Sequence, residues 1–321
     1  MSRSSYGSSA AEAAEPAEEV EEELKKDNTT LFDKYRNYKL FNRKRILKPA
    51  KTKKGKWIRF YIFSAIAAAL VIGAFFGFAI APYDPLATDF KSILQPPGPE
   101  HMLGTDNTGR DVLSRILCGA GNSFSLSFVM IAIIATVGTV IGIISGFFGG
   151  VLDTILMRFT DILLAFPNTV FAIAVVGMLG PGIFNTVIAM SLVWWTSFAR
   201  VTRGLAASIR TKDYITEARF GGASTFKILF KYVLPNILPR VVVMATMDIG
   251  HMILALAGLS FLGLASQPPA PEWGYMLNEG RNYLQSAPWL LFFPGLAILI
   301  TVIVFNLLGD SVRDILDPRD V

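Results

Sequence analysis

Apolar residues fall in six long runs along the chain, each near the roughly 20 residues that a helix needs to cross a lipid bilayer. The runs cover about residues 60–80, 123–148, 155–179, 183–198, 237–264 and 289–308. Only Gly180, Pro181 and Gly182 separate the third run from the fourth, which favours a tight helical hairpin. The pattern predicts an all-α, polytopic membrane protein with six transmembrane helices.

The composition supports a lipid environment, because 52% of the 321 residues are hydrophobic and only 17% are charged. Residues 1–30 are rich in Ser, Ala and Glu, and are expected to be disordered because they offer little apolar surface to bury. We divide the chain into a disordered and basic tail (1–56), a first helix with an extracytoplasmic segment (57–122), and a five-helix core (123–321). This core contains a cytoplasmic loop at 200–236.

The distribution of positive charge predicts the orientation. Fifteen of the 30 Lys and Arg residues lie at or before Arg59, and eight more lie between Arg200 and Arg240. With six crossings and a cytoplasmic amino terminus, 26 of the 30 are cytoplasmic, as the positive-inside rule requires. Both termini are then expected in the cytoplasm, with residues 82–122 and 265–288 outside.

The sequence lacks the usual signs of catalysis or metal binding. It has one cysteine, Cys118, and two distant histidines, His101 and His251, so no metal cluster is expected. It also has no Gly-x-x-x-x-Gly-Lys-Ser/Thr loop with which to bind ATP phosphates. We therefore predict no catalytic residue and no cofactor, and we expect no nucleic-acid partner because the basic charge flanks a membrane helix.

The loop at 200–236 contains an informative motif, Asp213-Tyr-Ile-Thr-Glu-Ala-Arg-Phe-Gly-Gly-Ala-Ser224, followed by Tyr232-Val-Leu-Pro-Asn236. It resembles the cytoplasmic signature of permease subunits of ATP-binding-cassette (ABC) importers, although Thr216, Glu217 and Tyr232 differ from the usual residues. The resemblance implies a short helix that docks on an ATPase subunit and turns out at Gly222 with a positive φ. The residues it implicates in coupling are Thr216, Glu217, Ala218, Gly222, Ala223, Leu234 and Pro235.

A second motif, His101-Met-Leu-Gly-Thr-Asp-Asn-Thr-Gly-Arg-Asp-Val-Leu-Ser-Arg115, resembles the segment after the first span in oligopeptide, dipeptide and nickel permeases of the C type. Further similar segments extend the resemblance over about residues 57–320, with departures at Gly121, Leu256 and Ala265. It implies the transmembrane domain of a type I ABC importer. The implied partners are a second homologous permease, two cytoplasmic ATP-binding subunits and an external solute-binding protein.

Several alternatives remain open on sequence alone. Peptide import is preferred to import of nickel or a metal chelate, while a secondary transporter and a non-transporting scaffold fit less well. Asp248 and His251 lie within the fifth run and either line the pore or make a structural hydrogen bond. The glycines at 138, 142, 146 and 150 favour helix packing equally within this chain or between subunits. Asp161 is expected to pair with Arg158, one turn away.

Overall fold

The computed structural model describes residues 53–316, in which the regular elements are helices and one isolated bridge joins Thr105 to Asp111. Residues 1–52 of the expected disordered tail (1–56) and residues 317–321 lie outside these described residues, whereas residues 53–56 belong to the first helix. The helices are α1 (Lys53–Phe75), α2 (Gly77–Ile80), α3 (Val112–Phe148), α4 (Gly150–Leu164), α5 (Asn168–Leu179), α6 (Ile183–Arg210), α7 (Asp213–Phe220), α8 (Thr225–Ile228), α9 (Leu234–Phe261), α10 (Trp273–Gly280) and α11 (Trp289–Leu316). A π-helical turn (Leu229–Val233) joins α8 to α9, and a 3₁₀ turn (Arg281–Tyr283) follows α10.

The expected all-α architecture is confirmed, whereas the count of six spans is not. In the described part of the chain, four helical stretches are long and apolar enough to cross a membrane. They are α1, α3, the continuous stretch Thr225–Phe261, and α11. The pair α4 and α5 makes a fifth if it counts as one broken span. Helix α6 has sufficient length, but polar side chains such as Asn185 and Arg200 dilute its apolar composition.

The third run is not the single helix that its hydrophobicity predicts. Helix α4 ends at Leu164, α5 begins at Asn168, and the two axes differ by 86°. Pro167 lies between them, and proline lacks the backbone N–H for a helical hydrogen bond and clashes with the preceding turn. The chain therefore bends sharply where the sequence analysis expected it to continue.

Helices α3 and α6 are longer than their apolar runs. The side chain of Asp111 accepts a hydrogen bond of 2.8 Å from the Ser114 N–H, so α3 begins at Val112 rather than near Ser123. Helix α6 continues past the apolar run to Arg210, so the first part of the expected 200–236 loop is helical. Helix propensity and capping set these ends, whereas hydropathy marks only the part that suits lipid.

Helices α3 and α6 form the most extensive helix pair. A Cβ atom added at Gly138, Gly142 or Gly146 would overlap α6 atoms, including those of Phe198 and Thr202. These three glycines therefore pack α3 against α6 of the same chain, while Gly150 has open space around it. Their α6 neighbours advance in the same order, so the two helices run parallel.

Two hydrophobic clusters organise the described residues. One lies among α3, α6 and α9, and the other contains side chains of α1, α3, α10 and α11. Gly250 of α9 approaches Val302, and Gly309 of α11 approaches Met247, so α9 and α11 are antiparallel. Lys56 Nζ donates to the Asp314 carbonyl at 3.4 Å, which brings the start of α1 to the end of α11.

Candidate functional site

Helix α7 lies between the end of α6 and the start of α8, and one buried side chain anchors it. Ile215 is fully buried in the cluster that α3, α6 and α9 share. The ring of Tyr214 contacts that of Tyr232, with centroids 6.4 Å apart, and the Arg219 guanidinium lies over the Phe147 ring at 5.4 Å. The contact with Tyr232 connects α7 to the π-helical turn before α9, and the contact with Phe147 connects it to the end of α3.

The turn after α7 is a Schellman motif centred on Gly222. Its φ is +78°, and its N–H donates to the Arg219 carbonyl at 3.0 Å, while the Ala223 N–H donates to the Ala218 carbonyl at 3.0 Å. These two bonds satisfy carbonyls that the end of a helix would leave unpaired. Glycine adopts this left-handed conformation freely, whereas a side chain disfavours it. Gly222 thus has the positive φ that the sequence analysis expects.

The other predicted coupling residues divide by exposure. Thr216 and Glu217 are exposed, while Ala218 and Ala223 pack against the cluster at the base of the turn. Leu234 and Pro235 form the first turn of α9, after the π-helical turn, and do not lie in α7 itself. The predicted set therefore comprises an outward face of α7, the turn that ends it, and the return into α9.

Sequence reasoning missed an exposed aromatic surface beside this helix. Phe220, Phe226 and Phe230 are 88%, 70% and 56% exposed, and the rings of Phe226 and Phe230 lie 4.5 Å apart. Exposed aromatic side chains, two of them in contact, are typical of a protein interface. The sequence feature that could have indicated this surface is the presence of three phenylalanines in the segment between two apolar runs. We call Phe220, Phe226 and Phe230 the aromatic patch.

Ion pairs join helices at the same end of the molecule. Arg203 donates to both carboxylate oxygens of Asp153, at 2.9 Å and 2.6 Å, and Ser145 also hydrogen-bonds to this carboxylate. Asp161 pairs with Arg200 at 2.8 Å, so the expected partner Arg158 is wrong. The bend after α4 and the extension of α6 bring Arg200 near Asp161. Both side chains of that pair are more than half exposed, so it contributes little stability.

Asp248 and His251, the two predicted pore-lining residues, lie together in a cavity. Asp248 Oδ1 and His251 Nδ1 are 3.3 Å apart, and both residues line a space of about 620 Å³ bounded by α5, α6 and α9. The wall is mainly apolar, with side chains such as Ile173, Met244 and Leu259. The two residues thus hydrogen-bond within one helix and line this cavity, and their position in the translocation pore stays a prediction.

A buried ion-pair network joins the segment 82–111 to α10. Arg110 Nε lies 2.6 Å from Asp106, and Arg115 Nη1 lies 2.9 Å from the same carboxylate. Both guanidiniums also contact Glu279, at 2.7 Å and 2.6 Å. Burial raises the pKa of Asp106, but the charges of Arg115 and Arg110, together with hydrogen bonds from the Thr108 and Arg110 N–H groups, leave this pKa below its usual value. The network holds this end of α3 against α10.

Comparison with models of protein families assigns the chain to a family. Residues 138–319, more than half of its length, match the model of the binding-protein-dependent transport system inner membrane component. The chain belongs to this family. The resemblance to ABC-importer permeases is therefore confirmed, and the matched region contains α7, the aromatic patch and the helices that line the cavity.

Individual relatives support the same assignment. The chain is 43% identical over 246 residues to the dipeptide transport system permease protein DppC of Haemophilus influenzae, covering 75% of this chain and 83% of that protein. It is 40% identical over 238 residues to the nickel transport system permease protein NikC of Escherichia coli, covering 74% and 86%. It is 42% identical over 251 residues to the glutathione transport system permease protein GsiD of Pectobacterium atrosepticum, covering 78% and 83%.

A solved structure supports the fold. The chain matches an inward-facing structure of the MetNI methionine ABC transporter with a TM-score of 0.51 and 18% identity, covering 62% of this chain and 95% of that one. Within residues 53–316, no group of three or more His, Cys, Asp or Glu side chains is arranged to hold a metal ion.

Proposed function

We propose that this chain forms half of the translocation pore of an ATP-driven importer for short peptides. The observation that carries the proposal is its identity of 42–43%, over about three quarters of its length, to permease proteins named for dipeptide and glutathione transport. The cavity supports this size of solute, since about 620 Å³ falls within the roughly 300–1,000 Å³ of small-molecule pockets.

Coupling to ATP is proposed to run through α7 and the aromatic patch. Two cytoplasmic ATP-binding subunits hydrolyse ATP, and one of them binds α7 through Thr216, Glu217 and the aromatic patch. Ile215 and the Arg219–Phe147 contact support this role, because they link α7 to the pore helices. A second homologous permease completes the pore, and an extracytoplasmic binding protein delivers the solute.

The proposed topology has six crossings with both termini in the cytoplasm of a prokaryotic cell. Because α3 and α6 run parallel, the chain between them must return across the membrane, which supports counting α4 with α5 as one crossing and α6 as another. The contact between Lys56 and Asp314 supports an even number of crossings. The proposed domains remain the tail (1–56), the first helix with its external segment (57–122), and the core (123–321).

Nickel import is the second candidate, because NikC of Escherichia coli is almost as similar to this chain. Reconstitution decides between the two. The four membrane and ATPase subunits are placed in lipid vesicles with their binding protein, and ATP-dependent uptake of a labelled dipeptide is compared with that of labelled nickel. We expect dipeptide uptake that requires the binding protein. Nickel uptake without dipeptide uptake would reject the peptide proposal and establish the alternative.

A further inference from the structure

The cavity between α5, α6 and α9 contains an acidic side chain. Among the described residues that line it, Asp248 is the one acidic side chain, and the other polar side chains are Asn168, Thr169, Ser197, His251 and the indole of Trp194. An ionisable group within a spanning helix is costly unless it faces protein or a water-filled path. The position of Asp248 therefore calls for a partner inside the cavity.

His251 satisfies only part of the hydrogen-bonding capacity of the Asp248 carboxylate. It approaches Oδ1 at 3.3 Å, which is long for a hydrogen bond between charged groups, and its own side chain is 63% exposed. Within residues 53–316, Oδ2 of Asp248 has no hydrogen-bond partner, and the side chain is 30% exposed. A carboxylate has lone pairs for about four hydrogen bonds, so Asp248 keeps most of its accepting capacity.

We propose that Asp248 receives the positively charged amino group of the solute as it passes through the cavity. This inference rests on the proposed function and specifies the chemistry that the pore recognises. An ammonium group supplies three donors and the opposite charge, which together offset the burial of the carboxylate. The apolar wall formed by Ile173, Met244 and Leu259 then accommodates the uncharged part of the solute.

The test compares four variants in the complete reconstituted importer. Asp248→Asn keeps the shape of the side chain and removes its charge, while Asp248→Glu keeps the charge. His251→Gln disrupts the same internal hydrogen bond and leaves the carboxylate in place. Asp161→Asn is the matched control, because it makes the same change at an exposed carboxylate that does not line the cavity.

The measurement is the initial rate of dipeptide uptake at increasing concentrations of loaded binding protein. Asp248→Asn should lower the maximal rate roughly tenfold or more, as expected for the loss of a hydrogen bond to a charged group. The half-saturating concentration of binding protein should not change, because docking lies outside the cavity. Asp248→Glu and His251→Gln should keep most of the maximal rate, and Asp161→Asn should keep all of it.

Three outcomes would overturn the inference. The first is a wild-type maximal rate for Asp248→Asn; the second is an equal loss in Asp248→Asn and His251→Gln, which would mean that only their pairing matters. The third is an Asp248→Asn subunit that no longer co-purifies with the second permease, which would assign the carboxylate to the fold. Failure of the proposed function is distinct, since the unaltered complex would then import nickel and no dipeptide.

Discussion

Backbone conformation at Gly222 determines how α7 ends. The neighbouring Gly221 has a φ of −73°, which any residue adopts, whereas Gly222 has a φ of +78°. A Cβ atom at Gly222 would meet no other atom within 4 Å, so the requirement for glycine comes from the backbone and not from crowding. The left-handed conformation costs other residues about 1–2 kcal/mol.

Replacing Gly222 with Val should therefore weaken coupling without affecting membrane insertion. A β-branched side chain disfavours the positive φ of the Schellman turn, so α7 should lose its defined end and its orientation toward the ATPase. We expect roughly a tenfold loss of solute uptake, the change that corresponds to about 1.4 kcal/mol. Uptake and ATPase stimulation by the loaded binding protein, both in reconstituted vesicles, provide the measurement.

The neighbouring glycine provides the control for this substitution. Gly221→Ala introduces a side chain at a negative φ, where the new Cβ atom meets the Glu217 carbonyl oxygen at an ordinary 3.4 Å. It should leave uptake unchanged. Equal losses in the two variants, or wild-type uptake by Gly222→Val, would show that the turn is only a connection. Ser224→Ala is a weaker control, because Ser224 caps α8 by accepting from the Lys227 N–H.

At the scale of single residues, the sequence motifs identified important positions but not the distant residues that those positions contact. The motif at 101–115 contains Asp106, Arg110 and Arg115, yet its fourth ion-pair member, Glu279, lies 164 residues beyond Arg115. No local spacing encodes such a contact. The positive φ of Gly222 was predictable because a helix end that contains glycine follows a local rule.

At the scale of elements, the contact between α3 and α6 depends on small residues. Gly138, Gly142 and Gly146 recur at intervals of one helical turn, which places them on one face of α3. Without side chains there, backbone atoms of the two helices approach closely, and van der Waals packing replaces the hydrophobic effect that lipid does not provide. This pair forms the frame to which Arg203 and Asp153 attach α4.

Substituting Gly142 with Ala should destabilise this frame. Its new Cβ atom would overlap the Thr202 hydroxyl and the Ala199 carbonyl oxygen, so the helices must separate or shift. Overpacking of this kind costs about 1–3 kcal/mol. Thermal unfolding of the purified complex, followed by intrinsic fluorescence, should show a lower midpoint for Gly142→Ala than for the unaltered protein.

Gly204 provides the matched control, because it lies exposed in α6 with no atom within 4 Å of an added Cβ. Gly204→Ala should leave the midpoint unchanged or raise it, since alanine favours a helix by up to about 1 kcal/mol. A Gly142→Ala protein as stable as Gly204→Ala would contradict the close approach of α3 and α6.

Hydropathy predicted the approximate place of the long helices better than their number or their ends. The apolar run from Ile155 to Leu179 contained the site of its own break, because Pro167 is compatible with lipid but removes a helical hydrogen bond, and the chain bends there. Conversely, α6 extends through Arg203 and Arg210, which suit a helix but not the bilayer interior. Capping and proline chemistry decide such boundaries, and apolarity alone does not report them.

At the scale of the whole molecule, the directions of the helices give information about the topology in addition to the distribution of charge. Parallel α3 and α6 end together, and the Arg210 guanidinium donates to the Phe148 carbonyl at 3.1 Å. The basic end of α6 and the turn between α3 and α4 thus share one side of the protein. The sequence predicted this side from its charges, but the parallel arrangement depends on tertiary contacts that hydropathy does not contain.

Labelling of single cysteines should establish this topology in intact cells. Cys118 is 1% exposed and is first replaced with Ala, and a single cysteine is then introduced at Lys91 or Lys212, both of which are exposed. Lys91 lies in the segment 82–111, whereas Lys212 lies between α6 and α7, next to the basic end of α6. Because 26 of the 30 Lys and Arg residues are assigned to the cytoplasm, the cysteine at 91 should react with an impermeant maleimide.

The cysteine at 212 should react only after the cells are opened, when the reagent reaches the inner surface. The control for reactivity is labelling in membrane vesicles made permeable with detergent, in which both cysteines should react. Protection of the cysteine at 91 with labelling at 212 would invert the topology. Labelling at both sites in intact cells would instead place an even number of crossings between them. The proposed path through α3, α4 with α5, and α6 makes three crossings, so the expected result is opposite sides, with position 91 outside.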